Sequence, residues 1–388
     1  MEEPTTSPGL DPLPRWIRPI ESLRYRDFRL LWSVAFFSSA ARNLQQISLG
    51  WLAFDLTGEA ILLASVMLAY QLPFLVSSPV VGVLVDRLDR RKLLLWSQST
   101  MAIIAILLVL DIYTGTVRPW HLFLFAFLSG TENTIIHIIR QALVPRVVPP
   151  KSLLNAVSLT GSAFNFTRVL APLVGGFLIV TIGVTGNFAL QACLLLVVAV
   201  AALPMHVGKE DVKQSEGSGL SRLTQDIGEG LNYIWKFGNL KTLMIVNFIT
   251  QFLGMSLIDM LPVWADQVLD VGATSLAQLY SASGIGALIG VLVLGFAASE
   301  IRRPGKALVL VAILLSLAII VFSRTDTVPE SLICLAFIGS LQVMFFALAS
   351  TLIQKQIPQG LQGRVMAIYN MGHVFMALGG VTIGLIAK

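Results

Sequence analysis

The chain has 388 residues, of which 55% are hydrophobic and only 13% charged, with a formal net charge of +5 and a mean hydropathy of +0.78. That charge cannot coat two or three soluble domains, so a water-exposed globular architecture is excluded. The apolar residues are gathered into runs of about 18 or more, long enough to cross a hydrocarbon core as helices, where no water can satisfy backbone groups.

In chain order, residues 1–29 carry Pro4, Pro8, Pro12 and Pro14 with mixed charges and no apolar core, so no cleaved signal peptide is expected and the amino terminus is read as cytoplasmic. Spans follow at about 30–54, 60–85, 93–112, 119–139, 153–181 and 184–204. The longest polar stretch, residues 205–241, is the natural linker, and Leu223, Ile227, Leu231, Ile234 and Trp235 within it are spaced as one face of an amphipathic helix on the inner membrane surface. Further spans lie at about 242–265, 275–298, 306–323, 329–353 and 364–387. The organisation is thus a cytoplasmic segment (1–29), a six-helix bundle (30–204), a linker (205–241) and a five-helix bundle (242–388).

The basic residues test that count. Of 27 Lys and Arg, 22 fall in segments that would be cytoplasmic; Arg118, Arg324 and Lys388 fall on the other side, and Arg42 and Arg168 lie inside spans. This alternation follows the positive-inside rule and explains the net charge without nucleic acid. The basic loop residue Arg90 and the loop proline Pro145 recur 213 residues later as Arg303 and Pro358, as duplicated halves would. By that duplication a twelfth span is expected after Gly384, and the sequence reads as truncated there. Cys193 and Cys334 lie in apolar spans and read as packing residues, so neither a disulfide nor a metal site is expected. No GxxxxGK[ST], HExxH or GxSxG motif occurs, so an enzyme is not expected and an ion gradient is the expected energy source.

The loop between the second and third spans reads Gly82-Val-Leu-Val-Asp86-Arg87-Leu-Asp-Arg90-Arg91-Lys92. It resembles the signature loop of the major facilitator superfamily, although an ordinary positive-inside loop accounts for its basic residues. The resemblance implies two pseudo-symmetric helical bundles and a contact of Asp86 with the start of the eleventh span at Gly363 and Arg364. There the helix dipole favours an anion, and the contact would latch one gate state. The stretches Arg140 to Pro145, Leu154 to Ala156, Asn165 to Gly176 and Gln354 to Ala367 are similar to the branch of enterobactin exporters and macrolide efflux proteins. The stretch from Gly161 to Gly176, with Gly161, Pro172, Gly175 and Gly176, resembles the glycine-proline motif of antiporters, with Ala171 where that motif has Gly.

A transporter needs a site near the bilayer midplane, so ionisable residues inside spans are the candidates for substrate or proton coupling. These are Arg42, Glu132 and Arg168 at comparable depth in the first half, and Asp259 and His373 in the second. Glu132 is expected to pair with Arg42 or Arg168, either as a coupling site or as a static pair that fixes packing; Arg168 and His373 likewise admit structural roles. His137 and Arg140 fit the cytoplasmic gate. The expectation is a monomeric, proton-coupled exporter of drug-like or siderophore-like small molecules in the cell membrane, requiring no cofactor. An importer of the same fold, or a non-transporting receptor, stays open.

Overall fold

The computed structural model describes residues 18–76, 89–149, 152–205, 220–271, 273–297, 301, 303–358 and 361–386. All regular structure among them is helical. After a 3₁₀ turn at Arg18–Arg24 come α1 (Arg26–Asp55), α2 (Ala60–Val76), α3 (Arg90–Tyr113), α4 (Pro119–Val147), α5 (Leu153–Ile182) and α6 (Val184–Ala202). The remainder comprises α7 (Leu220–Lys236), α8 (Gly238–Thr250), a π-helical turn (Gln251–Met255), α9 (Ser256–Asp259), α10 (Leu261–Gln267), α11 (Ala273–Ala297), α12 (Pro304–Phe322), α13 (Val328–Lys355), α14 (Gln362–Asn370) and α15 (Gly372–Ile386).

Among the described residues eight helices are long and apolar enough to cross a membrane. Three expected spans differ in form. The first is the long helix α1, whose apolar run is interrupted by Arg42, Asn43, Gln45 and Gln46. The second, α2, is described only to Val76. The last is broken at Met371 into α14 and α15. The seventh span is continuous in sequence but passes through the π turn and then through two short helices. Large apolar side chains such as Leu107, Phe177, Leu310 and Ile333 are exposed around the outside, as helices facing lipid require.

Local chemistry sets the helix ends. Asp89 caps α3 by accepting from the backbone N–H groups of Arg91 (2.9 Å) and Lys92 (3.3 Å). Prolines occupy the first turn of α4, α10, α12 and α13, where no N–H partner is lost. Gly183, at φ 81°, ends α5 and starts α6. Helix α7 is docked rather than freely lying on a surface: Ile234 is buried with Leu240, Ile353 and Ile368, and the Tyr233 hydroxyl donates to the Gln356 carbonyl at 3.0 Å. Leu231 and Trp235 on the same helix stay exposed.

Helix α1 packs on α5 and α6, α2 on α4, and α3 on α6, while α11 packs on α13 and α13 on α12. The two sets meet through α5 with α11, α2 with α15, and α1 with α10. These junctions are not spread evenly along the molecule. At the end that carries most of the basic loops, one apolar cluster (Phe28, Leu31, Leu94, Ile139, Leu143) draws only on helices before residue 206. A second (Ile234, Leu240, Met244, Val365, Ile368) draws only on helices after residue 219. At the opposite end the clusters cross the divide. Met260, Val263 and Val381 pack with Leu49, Leu63 and Met67, and Ile47, Trp51 and Ile179 pack with Met255, Leu261 and Leu279. Among the described residues, therefore, the halves are closed against each other at the non-basic end and separate at the basic end.

Backbone contacts without side chains make the tightest seams. A Cβ at Gly286 would fall on the carbonyl of Ala336, one at Gly339 on the carbonyl of Ser283, and one at Gly290 would lie 2.5 Å from the carbonyl of Ser340. Helices α11 and α13 thus touch along a strip where only hydrogen fits, as membrane helices gain most from close packing. Gly286→Ala is expected to destabilise the protein by about 1–3 kcal/mol, the usual cost of overpacking, read as a lower unfolding midpoint in detergent. Gly295→Ala, at a site with open space, should leave that midpoint near the original value.

Candidate transport cavity

A cavity of about 720 Å³ lies between the halves, within the range that holds drug-sized ligands. Its first-half wall comes from α1 (Asn43, Gln46), α4 (His137) and α5 (Phe164, Arg168, Pro172). The facing wall is built by Gln251 and Met255 of the π turn, Tyr280 and Ser283 of α11, Gln342 and Phe346 of α13, and Tyr369 and His373 of α14 and α15. His137, Ser350 and Met366 extend the lining toward the basic end.

Why these polar groups stand here follows from helix packing. Gly284 on α11 lies against the backbone carbonyl of Arg168 on α5, and the Ser281 hydroxyl donates to the Val169 carbonyl at 3.3 Å. That contact holds Arg168 and Ser283 at the seam. The π turn adds one residue to a helical turn, a distortion frequent at functional sites. It brings the Gln251 amide against Gly372, where a Cβ would overlap it, and the Phe252 carbonyl against Gly379. His373 follows directly and faces the cavity. Helix α1 is fixed to its neighbours by polar contacts: the Gln191 amide donates to Gln45 at 2.7 Å and the Asn43 amide to the Thr167 hydroxyl at 3.3 Å.

The first-half candidates divide into two places. Arg42, Glu132, Asn133, His137 and Arg140 line a small polar pocket beside the main cavity, and His137 belongs to both. Gly130 lets α4 lie on the Tyr70 carbonyl of α2, which carries Glu132 into this pocket. The expected ion pair is replaced by amide-mediated contacts. The Glu132 carboxylate accepts from the Gln98 amide of α3, while Arg42 donates to the Asn133 side-chain oxygen at 2.5 Å and to the Ser39 hydroxyl at 3.3 Å. Arg42 also stacks over Phe164, 5.1 Å from the ring centre. Arg168 stands apart in the main cavity wall, with no hydrogen bond or ion pair among the described residues.

In the second half, Asp259 is 4% exposed, and its Oδ2 has no partner. Gln46 of α1 stands beside it across the divide. Asp259 does not line the cavity; Ile258 and Tyr280 do, and the Tyr280 hydroxyl donates to the Ile258 carbonyl at 3.2 Å.

Of the expected gate residues, Gly82, Asp86 and Arg87 lie outside the described residues, as does the side chain of Arg90. Arg91 donates to the Leu203 carbonyl, joining the start of α3 to the end of α6, and Lys92 lies in the turn capped by Asp89. Gly363 falls in the first turn of α14. Arg364 forms an ion pair with Glu229 of α7, a partner not anticipated from the sequence. In the antiporter-like stretch, Pro172 lines the cavity, and Gly175 admits Leu44 and the Asn187 amide, which donates to the Gly175 carbonyl at 2.9 Å. Gly176 is buried, whereas Gly161 is exposed and has nothing near it, so close packing does not account for that glycine. Sequence reasoning missed Gln98, visible only as an amide inside an apolar helix, and the placement of Gln46 beside Asp259. Among the described residues no three His, Cys, Asp or Glu side chains converge on a metal-sized space.

Comparison with known proteins agrees with this architecture. Residues 17–388 match the family model described as transmembrane secretion effector. The multidrug efflux pump Tap of Mycolicibacterium fortuitum is 27% identical over 368 residues, covering 90% of this chain and 86% of that protein. The enterobactin exporter EntS of Escherichia coli is 26% identical over 300 residues, covering 76% of this chain and 68% of the exporter. Among solved structures, the nucleoside transporter NupG superposes with a TM-score of 0.74 at 13% identity, over 93% of this chain and 91% of that one. A bacterial homologue of the lysosomal transporter Spinster, solved inward-facing and unoccupied, gives 0.70 at 14% identity, over 98% and 83%. With its helical bundles, its cavity between them and a family match over nearly its whole length, the chain belongs to the transmembrane secretion effector family of the major facilitator superfamily, and is a multi-pass membrane transporter of the efflux branch rather than an enzyme.

Proposed function

We propose that the protein is a proton-coupled exporter of amphipathic small molecules, working as a monomer in the cell membrane with its basic end and amino terminus in the cytoplasm. Its working parts are a cytoplasmic segment (1–29), a first bundle (30–204), a linker (205–241) and a second bundle (242–388). The observation that carries this reading is the cavity of about 720 Å³, closed at the non-basic end by apolar clusters that cross the divide. With the basic loops cytoplasmic, the arrangement is the inward-facing state, ready to load from the cell interior. Relatives described as a multidrug efflux pump and an enterobactin exporter support the outward direction.

Glu132 is the proton-carrying group of this reading. It lies beside His137, which borders both the polar pocket and the cavity, so a change in its charge reaches the substrate space through one side chain. Asp259 acts on the gate: its carboxyl is enclosed where the halves meet, and opening that end returns it to water. Enclosing a carboxylate with one unpartnered oxygen is costly, so its ionised form favours opening.

In proteoliposomes screened with amphipathic drugs and siderophores, substrate should drive proton movement. Glu132→Gln, which keeps the contact with Gln98, should lower that proton movement at least about a hundredfold, the scale of one lost proton-transfer group, with protein level unchanged. Equal proton flux in the variant would remove Glu132 from the mechanism.

Alternating access makes a second expectation. A Cβ on Gly384 would stand 3.2 Å from the Ile61 Cα, at the closed end. With Cys193 and Cys334 changed to Ser, the pair Ile61→Cys and Gly384→Cys should form a disulfide on oxidation, stop transport and recover with reductant. Transport that persists in the cross-linked protein contradicts opening at this end.

Asp259→Asn removes the charge that favours opening. Labelling of a single Ile61→Cys by a membrane-impermeant maleimide should therefore slow about tenfold, which corresponds to about 1.4 kcal/mol. Faster labelling would show that Asp259 closes the gate instead.

A further inference from the structure

We propose that the cavity selects anionic amphiphiles, with Arg168 as the anchor of the negative group, and that cationic amphiphiles of the same size are poor ligands. This rests on the central cavity being the transport site. Among the described lining residues, Arg168 is the one side chain that carries a fixed charge, and no carboxylate joins it. Its guanidinium has no hydrogen-bond or ion-pair partner among the described residues, although five N–H donors are available to it. Arginine held this way in a partly buried wall suits a carboxylate, sulfonate or phosphate, which it grips with two parallel bonds.

The facing half supplies matching donors. The Gln342 amide nitrogen is buried, with Gln342 only 2% exposed, and has no partner; the Ser283 hydroxyl is likewise buried and unpartnered. Ser283 precedes Gly284, which rests on the Arg168 carbonyl, so donor and cation belong to neighbouring turns of α5 and α11. Beside neutral polar groups and two histidines, the lining carries apolar and aromatic side chains from Phe164, Met255, Phe346 and Met376. Thioethers and rings adapt to varied hydrophobic bodies.

The nearest carboxylates do not reverse this sign. Glu132 lies in the side pocket with Arg42 and Arg140 and is engaged by Gln98. Asp259 is buried and lies outside the lining. Counting Arg42, Arg140 and Arg168 against Glu132 and Asp259, the fixed groups around the cavity favour an anion, and a low-dielectric cleft focuses that preference.

The test is equilibrium binding to the purified protein in neutral detergent, with no gradient, so it does not depend on proton coupling or transport direction. Two xanthene dyes of similar size serve as probes, anionic carboxyfluorescein and cationic rhodamine 6G, followed by fluorescence anisotropy. Carboxyfluorescein should bind on the order of tenfold more tightly, and Arg168→Gln should erase that difference. Arg168→Lys should retain part of it and Arg168→Glu should invert it, with unfolding midpoints reporting that each variant is folded. Equal binding of both dyes, tighter binding of rhodamine, no binding of either, or a preference unchanged in Arg168→Gln overturns the proposal. Should the dyes behave as expected while substrate-driven proton flux is absent, the anion site stands and proton-coupled export falls.

Discussion

The contact on which the rest of the molecule depends is the crossing of α5 and α11, where Gly284 lies on the Arg168 carbonyl. A side chain at residue 284 would push the helices apart, and with them the two halves. Toward the non-basic end from this crossing, apolar residues of both halves merge into common clusters. Toward the basic end each half keeps its own cluster, and the space between becomes the cavity. Because packed interfaces hold one arrangement or another rather than deforming continuously, a pivot of this kind converts closure at one end into opening at the other.

The same crossing explains the chemistry of the cavity wall. Polar residues within a bilayer are tolerated only where they face protein or a water-accessible space. Here they follow two patterns. Gln45 with Gln191, Asn43 with Thr167, and Arg42 with Asn133 are hydrogen-bonded to each other and join helices of one half. Arg168, Gln342 and Ser283 lack such partners and border the cavity. The first group accounts for α1 being a stable helix despite its polar centre. The second is retained without structural reward, which is the physical ground for giving it a functional reading.

Much of this architecture was legible in the amino-acid sequence, because lipid imposes a length and an apolarity on every span and the positive-inside rule orders the loops. The broad placement of helices follows from those two constraints. What periodicity does not carry is how a long apolar run bends: the π turn at Gln251–Met255 and the break at Met371 arise from tertiary packing of Gln251 against Gly372 and of Phe252 against Gly379. The candidate ionisable residues were likewise visible, since charges stand out in apolar spans, but their partners were not. Opposite charge suggested that Glu132 would meet an arginine, whereas amides intervene on both sides. An amide can meet either charge and carries no charge pattern for a sequence reading to detect.

This interposition has a consequence for coupling. A direct Glu132–Arg42 pair would hold the carboxylate ionised and resist protonation, since an adjacent opposite charge favours the charged form. With Gln98 as its donor and Arg42 turned to Asn133, Ser39 and the Phe164 ring, Glu132 can gain or lose a proton without breaking an ion pair. Phe164 also lines the main cavity, so a ligand that displaces this ring alters the environment of Arg42. In the proposed coupling, a ligand at Phe164 and a proton at Glu132 both change the surroundings of Arg42, which is the differential interaction that coupling between two sites demands.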